Sequence, residues 1–370
     1  MRRSLVALAL LAASGYGGPV TITGTSTTTS PASAARAAET PSPQPPGKPS
    51  PGVLAITSGA DGTVSLIGAG GTTVARANSS PASFRPNAWA PWTSASLTRV
   101  YYLNSGSEVR YLAPDGSTGL VTRLTVQPNQ EVGFAVSPDD KRIAVSVFSH
   151  AQPPAAAVSG IQPSYNGMRL FVEDLVGGGN LMDIFSSPTV AEYPIGWSAG
   201  RLVLAVSQPV CCQNPPTNPY AAGSYHVANP ANRDRLITIC GPGDIPAGPV
   251  EPVGIMCWPT NGNGPYYVHW DGTLFPPPAA VPAPGRYLDA LSPDGQLAAV
   301  GQDVISIWGP RGSSQNFKVS GYVFGWLDQD HLVIQKSGAS TLSILDLRTS
   351  STTELPQATS YLGTFPAALS

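Results

Sequence analysis

A short phrase recurs along this chain: an apolar or aromatic residue, a tight polar turn, and then a run of hydrophobic strand-forming residues. It stands in full at residues 136–140 (VSPDD) and at residues 291–295 (LSPDG), each time before an apolar run. Looser copies begin at Trp197 and Trp326. Repetition on this scale indicates one supersecondary unit used several times, because a single copy cannot bury its own apolar face.

The copies predict the fold class. Each of six anchor residues is followed by further short runs rich in strand formers; the anchors are Trp92, Val136, Trp197, Trp258, Leu291 and Trp326. Units of roughly 35–60 residues with four short strands are typical of propeller blades. We therefore predict an all-β fold, a β-propeller of about seven four-stranded blades. Six blades is the alternative, because the Trp258 unit is short.

The two ends of the domain predict how the propeller closes. Three runs without an anchor come first, at residues 53–56, 64–67 and 72–75, and one anchor-like run comes last, at residues 361–366. One C-terminal strand and three N-terminal strands together make a complete blade. Such a shared blade closes the ring and leaves no free sheet edge.

The Ser-Pro-Asp-Gly turn has a local cause. Proline sets the first turn position, Asp caps the backbone, and Gly tolerates the exit conformation. With this turn before an apolar strand, the chain resembles the WD-like repeat of TolB-type propellers; two units match well and about four match loosely. The resemblance implies a propeller that serves as a protein-binding scaffold. Similar blades also accompany peptidase domains, but no hydrolase domain fits in this chain.

The N-terminus predicts export. Arg2 and Arg3 precede an apolar stretch at residues 5–13, which indicates a signal peptide at about residues 1–16. A retained anchor helix is the alternative. Residues 11–15 resemble a lipoprotein box, but Ser14 stands where the lipidated cysteine belongs, so lipidation is not expected.

The domain boundaries follow from composition. Residues 17–51 are rich in Thr, Ser, Ala and Pro and predict a disordered tether. Residues 52–370 are then the propeller. No later stretch of eighteen apolar residues exists, so no transmembrane span is expected after the signal. The protein is therefore predicted to lie outside the cell or in the cell envelope.

The charge balance excludes one class of partner. Charged residues make up 11% of the chain and the net charge is −2, whereas nucleic-acid binding needs a dense basic surface. A hydrophobic content of 42% supplies a core for the main body.

Four cysteines lie in the middle of the chain, at Cys211, Cys212, Cys240 and Cys257. An even number in an exported chain favours disulfides. Neighbouring cysteines are too constrained to pair comfortably, so we expect Cys211 and Cys212 each to reach Cys240 or Cys257. A zinc site and a redox role are the alternatives, but both lack the usual C-x-x-C spacing.

Catalytic motifs are missing from the sequence. The four histidines, His150, His226, His269 and His331, include no H-E-x-x-H pair, and no G-x-S-x-G turn is present. We expect His269 to be a buried, hydrogen-bonded side chain and His331 to lie at a turn or strand edge. No catalytic, cofactor or metal site is predicted.

Two long connections are the candidate binding surface. Extra residues follow the second strand of two adjacent units, at residues 149–167 and 208–224, and equivalent connections emerge on the same face of a propeller. Tyrosine provides a large contact area at low entropic cost. Tyr165, Tyr220, Tyr225 and His226 are therefore predicted partner contacts, although surface loops also tolerate insertions that have no function.

Together these features predict an exported, non-enzymatic propeller, with no cofactor, that binds another protein or an envelope component as a monomer. An enzyme, a lyase or hydrolase using the central channel, is the first alternative. An accessory or sensor domain of an envelope assembly is the second.

Overall fold

The computed structural model describes residues 52–79, 92–105, 107–150, 165–207, 224–230, 235–241, 244–247, 253–259, 266–274, 290–301, 303–309 and 314–366. The predicted signal peptide and tether lie outside these ranges. Every regular element within them is a β-strand, and the 27 strands form seven antiparallel sheets, numbered I to VII here.

Most of the sheets are four-stranded meanders. In pairing order, sheet I comprises β27 (Ser360–Phe365), β1 (Leu54–Ser58), β2 (Val64–Ile67) and β3 (Thr73–Ala77). Sheet II comprises β4 (Thr93–Ala95), β5 (Val100–Asn104), β6 (Glu108–Leu112) and β7 (Thr118–Arg123), and sheet III comprises β8 (Gln130–Val136), β9 (Arg142–His150), β10 (Tyr165–Asp174) and β11 (Met182–Ser187). Sheet IV comprises β12 (Ala191–Ser198), β13 (Arg201–Ser207), β14 (Ser224–Ala228) and β15 (Arg235–Ile239).

The remaining sheets follow the same order. Sheet V comprises β16 (Ile245–Ala247), β17 (Gly254–Trp258) and β18 (Tyr266–His269); sheet VI comprises β19 (Ala290–Leu291), β20 (Ala298–Val300), β21 (Ile305–Trp308) and β22 (Ser314–Phe317); sheet VII comprises β23 (Gly321–Asp328), β24 (His331–Lys336), β25 (Leu342–Asp346) and β26 (Thr352–Leu355). Sheet V thus has three strands within the described residues.

The recurring turn is built by a serine and an aspartate. The Oγ atom of Ser137 donates to Oδ1 of Asp139 at 2.7 Å and accepts from the backbone N–H of Arg142 at 2.9 Å. Ser292 makes an equivalent pair of contacts, donating to Oδ1 of Asp294 at 2.6 Å and accepting from the N–H of Leu297, just before β20, at 2.9 Å. The predicted Asp cap is confirmed at both copies, because Oδ1 of Asp139 accepts from the N–H of Lys141 at 3.3 Å and Oδ1 of Asp294 from the N–H of Gln296 at 3.0 Å.

The last turn position adopts the left-handed conformation, with φ of 61° at Asp140 and 71° at Gly295. Glycine does this at no steric cost, whereas an aspartate needs compensation. Asp140 accepts hydrogen bonds from the hydroxyls of Thr98 and Tyr101 of sheet II, the latter at 2.7 Å. Burial, together with the Asp140 charge, raises the pKa of Tyr101, so its hydroxyl remains a donor. The turn of sheet III is therefore attached to sheet II.

Two of the predicted tryptophan anchors connect neighbouring sheets. The indole N–H of Trp197 in sheet IV donates to the carbonyl of Ala135 in sheet III at 3.3 Å. Trp326 in sheet VII makes the equivalent bond to Ala290 in sheet VI at 3.0 Å. Ala135 and Ala290 each directly precede a Val136 or Leu291 anchor. The anchors thus bind one another's strands across the gap between sheets.

Two other anchors were assigned to the wrong position. Trp92 precedes the first strand of sheet II, and the turn that corresponds to Ser137 is built at Ser96, whose Oγ accepts from the N–H of Thr98 at 3.1 Å. Trp258 ends β17, the second strand of sheet V, instead of the first. An aromatic residue alone does not mark the first strand of a sheet, because the other strands of the sheets also carry aromatic residues.

Hydrophobic clusters fill the spaces between consecutive sheets. They join I with II, II with III, III with IV and V, V with VI, VI with VII, and VII with I. Adjacent residues of one strand point to opposite faces of the sheet, and both faces are buried: Val203 and Leu204 of β13 are each 0% exposed. Four-stranded antiparallel meanders packed face to face in sequence are the blades of a β-propeller. The predicted fold class is confirmed at this level.

The indole contact predicts a measurable stability difference. Trp326→Phe removes one buried hydrogen bond, the donor to Ala290, so we expect a loss of about 1 kcal/mol in the free energy of unfolding. Trp308→Phe is the matched control, because its buried indole N–H has no acceptor among the described residues. Denaturant unfolding of both variants measures the difference. Equal losses would contradict a stabilising role for this hydrogen bond.

Candidate functional site

The two long connections occupy equivalent places in adjacent sheets. One links β9 to β10 in sheet III and the other links β13 to β14 in sheet IV, so each joins a second strand to a third. In a meander these connections lie at the same end as the crossovers to the next sheet. Residues 151–164 and 208–223 themselves lie outside the described ranges.

Tyr225 is a core residue, which corrects its prediction as a surface contact. It lies on β14 and is 0% exposed. Its ring meets that of Trp270 in sheet V edge to face, with ring centres 5.8 Å apart. Because successive residues of a strand face opposite sides, Tyr225 points toward sheet V and His226 toward sheet III. Tyr225 is buried because it belongs to strand β14 and not to the long connection before it.

His226 also has partners inside the protein. Its Nδ1 atom lies 3.2 Å from Oε1 of Glu192 on β12, and the Glu192 side chain is 0% exposed. The backbone carbonyl of Glu192 accepts from Ser146 of sheet III at 2.7 Å. His226 thus belongs to a polar group between sheets III and IV, with 17% of its side chain exposed.

The other two predicted contacts stay predictions. Tyr165 is the first residue of β10 and its backbone pairs with His150, the last residue of β9. Its side chain and the whole of Tyr220 lie outside the described part of the chain.

The disulfide pairing differs from the prediction. Cys240 is bonded to Cys257, with Cα atoms 5.4 Å apart, so neither reaches Cys211 or Cys212. Cys240 directly follows β15 of sheet IV, and Cys257 lies in β17 of sheet V. The pairing follows from sheet packing, which brings the two residues together and which their spacing in the sequence does not reveal. Cys211 and Cys212 lie outside the described residues.

A groove lies between sheets II and III, at the base of the first long connection. We call it the II–III groove. It has a volume of about 900 Å³ and includes Ser149 and Gly167, on the strands that flank the connection. Its apolar lining includes Val145, Val147 and Phe171. The groove is therefore a recess next to the face on which the sequence placed partner contacts.

Three side chains of β10 follow one another along the groove: Arg169, Phe171 and Glu173. Because alternate residues of a strand share a face, all three point toward sheet II. The Arg169 guanidinium lies 4.9 Å from the centre of the Phe171 ring. A cation, an aromatic ring and a carboxylate thus form one row.

The two charges of this row differ in their partners. Arg169 Nε donates to Oδ1 of Asp183 at 2.5 Å. Glu173 forms no side-chain hydrogen bond or ion pair within the described ranges. Burial raises the pKa of the Glu173 carboxyl, with a smaller contribution from the nearby charge of Asp174, while Arg169 opposes the shift. The groove therefore holds a carboxylate without a cation bound directly to it.

Sequence inspection missed this row. Its signal is the run at residues 169–173 (RLFVE), where two charged residues flank three apolar ones. Because positions 169 and 173 share a face with position 171, the two charges mark one face of a central strand as not wholly apolar. The charged positions become meaningful only once sheet II is known to lie opposite them.

His331 begins β24 as predicted, with Nδ1 at 2.8 Å from Oδ1 of Asp328. His269 is hydrogen-bonded as predicted, with Nδ1 3.1 Å from the carbonyl oxygen of Val253, but it is half-buried instead of buried. Over the described ranges, no three His, Cys, Asp or Glu side chains are grouped as metal ligands. In the same part of the chain no helix is long and apolar enough to cross a membrane.

No protein-family model matches this chain, and no curated protein matches it. Among solved structures it is similar to dipeptidyl peptidase 4 of Porphyromonas gingivalis, with a TM-score of 0.45 and 8% identity over 71% of this chain. This chain spans 44% of the length of that peptidase.

Two further solved structures are similar at the same level. For BamB of Moraxella catarrhalis the TM-score is 0.38 and the identity 11%, over 77% of this chain and 79% of that one. For virginiamycin B lyase of Staphylococcus aureus the TM-score is 0.37 and the identity 13%, over 73% of this chain and 85% of that one. Likenesses this distant assign no function.

The raised pKa of Glu173 predicts a pH-dependent stability difference. A carboxyl whose pKa is higher in the folded state contributes stability below its ordinary pKa of about 4.3 and loses it as the pH rises through the folded value. Glu173→Gln removes this loss. We expect its melting temperature to exceed that of the parent at pH 7 and to equal it below about pH 4.

Calorimetry across this pH range measures the effect. Glu354→Gln is the matched control, because Glu354 is exposed on β26 of sheet VII. A Glu173→Gln difference that stays constant with pH would show that the carboxyl is not destabilised by burial.

Proposed function

We propose that this protein is an exported, non-enzymatic β-propeller that binds another protein or an envelope component at sheets III and IV. One observation carries the proposal: the II–III groove, with its apolar floor, lies at the base of the first of two long connections that leave adjacent sheets at the same end. Loops positioned by a rigid scaffold are where binding surfaces concentrate.

The composition of the connections supports a contact role. Residues 151–164 and 208–223 contain no Lys, Arg, Asp or Glu. Depletion of charge is typical of the centre of protein interfaces. Tyr165 and Tyr220 remain the proposed aromatic contacts, while Tyr225 and His226 support them from within sheet IV.

Export rests on two independent features. The N-terminal sequence has the charge and apolar pattern of a signal peptide, followed by the tether. The Cys240–Cys257 disulfide supports the same conclusion, because disulfides persist in oxidising compartments.

We also propose that the seven sheets are seven blades of a closed ring, with sheet I as the shared blade. β27 pairs with β1, which joins the C-terminal and N-terminal strands in one sheet. The cluster that joins sheets VII and I, including Ala55 and Val333, supports closure in the same way.

Truncation tests the shared blade. Deleting residues 361–370 removes most of β27, uncovers the edge of β1 and eliminates Phe365, which is 1% exposed. We expect aggregation or a loss of more than about 3 kcal/mol in the free energy of unfolding, the cost of emptying one buried Phe site. Deleting only residues 367–370 is the matched control. Equal stability of the two truncations would contradict closure through β27.

Replacement of the connections tests the binding role. Residues 151–164 and 208–223 are exchanged for short glycine-containing turns, and capture of partners from envelope extract is compared with the parent. We expect capture to fall at least about tenfold while the melting temperature stays close to that of the parent, because surface loops contribute little to stability.

The control exchanges residues 337–341, the corresponding connection of sheet VII, for glycine and serine. Capture that survives replacement of both long connections would contradict the proposal and direct the search to the axial channel, where an enzymatic site would lie.

A further inference from the structure

We propose that the II–III groove binds an extended segment of the partner protein and that this segment places a lysine or arginine side chain against Glu173. This inference rests on the proposed binding function and adds the chemistry of the partner. It is carried by the carboxylate of Glu173, by the order of side chains along β10, and by the composition of the neighbouring connection.

Charge complementarity favours a cation at Glu173. The carboxylate lies beside the apolar lining of the groove, and no described side chain donates a hydrogen bond to it. Both arginines of the groove lining already have carboxylate partners: Arg169 is bonded to Asp183 at 2.5 Å and Arg123 to Glu108 at 3.0 Å. Placing a carboxylate in a partly apolar groove costs free energy unless a cation or a donor meets it. A basic side chain would supply both the charge and the donors.

The chain itself does not carry a suitable cation in the adjacent connection. Residues 151–164 contain no Lys and no Arg, and neither do residues 208–223. A segment of this protein folding back from either connection would leave Glu173 without an ionic partner. The observations therefore favour a second protein over these segments as the occupant.

The shape of the groove favours an extended chain over a compact ligand. Its lining follows β10 from Gly167 to Glu173. These six residue steps correspond to about 20 Å at the rise of a β-strand. Arg169, Phe171 and Glu173 recur at every second residue, which is also the period of an extended peptide.

The order of the row fixes the side-chain spacing of the segment. A basic side chain at Glu173 places a side chain two residues along at the apolar lining beside Phe171, whose ring carries the Arg169 guanidinium. Arg169 beyond it repels a second cation at that end. The expected motif is one basic residue separated by one residue from an apolar one, without a further basic residue at the Arg169 end.

Selection from a random library tests this without knowledge of the natural partner. Phage-displayed random dodecapeptides are panned on the complete mature protein, on Glu173→Lys and on Glu354→Lys, the exposed control in sheet VII. We expect the parent and the control to enrich peptides with Lys or Arg at one fixed position, and Glu173→Lys to enrich Asp or Glu there. The same consensus on the parent and on Glu173→Lys would overturn the inference, as would the absence of any consensus on the parent.

An isosteric variant guards against an effect of misfolding. A synthetic peptide of the enriched sequence, labelled with fluorescein, is titrated against the parent and Glu173→Gln. We expect about tenfold weaker binding for Glu173→Gln, since one charge-assisted hydrogen bond is lost. Unchanged affinity would overturn the role of Glu173 even if the peptide binds.

Partner capture separates this inference from the proposed function. If replacing the two connections abolishes capture but Glu173→Lys leaves capture unchanged, the proposed function stands and this inference about the II–III groove is wrong. Capture that survives replacement of the connections would reject the proposed function itself.

Discussion

The two apolar faces of each sheet are the constraint on which the rest of the structure depends. In β13 the adjacent residues Val203 and Leu204 point in opposite directions, and both are fully buried. A sheet of this kind must be covered on both sides, because each exposed apolar face costs free energy in proportion to its area. A linear stack of seven sheets would leave two faces uncovered. The cluster that joins sheet VII to sheet I buries apolar residues of both end sheets, which supports the proposed ring.

Apolar packing alone does not fix how neighbouring sheets are aligned, since it has no direction. Directed hydrogen bonds between sheets supply that alignment. Trp197 and Trp326 each bind a carbonyl of the preceding sheet, and Asp140 binds the hydroxyls of Thr98 and Tyr101. Between three pairs of neighbouring sheets, a polar group near the end of a strand thus selects one alignment among the many that apolar contact would allow. The disulfide between Cys240 and Cys257 plays this part between sheets IV and V, where sheet V has three described strands.

Local features of the fold were predictable from the sequence, and features that depend on two sheets were not. The turns at Ser137 and Ser292 follow from four adjacent residues, so the capping of the backbone by Asp139 and Asp294 was predictable. The pairing of β27 with β1 followed from counting strands at the two ends. Burial of Tyr225 and bonding of Cys240 to Cys257 depend on sheet V lying against sheet IV. Neither is visible in a sequence in which the relevant strands are separated by long connections.

The same distinction explains why the candidate site was found only in part. The long connections are visible as extra residues between strands, whereas the groove beside them arises from the two surfaces that line it. Arg169 and Glu173 occupy positions of β10 where an apolar pair would pack against sheet II and fill the space. Arg169 stacks on Phe171 and is bonded to Asp183, so contacts within sheet III account for its position. Glu173 has no such partner among the described residues, so its place in the row becomes apparent only from the packing of sheet II against sheet III.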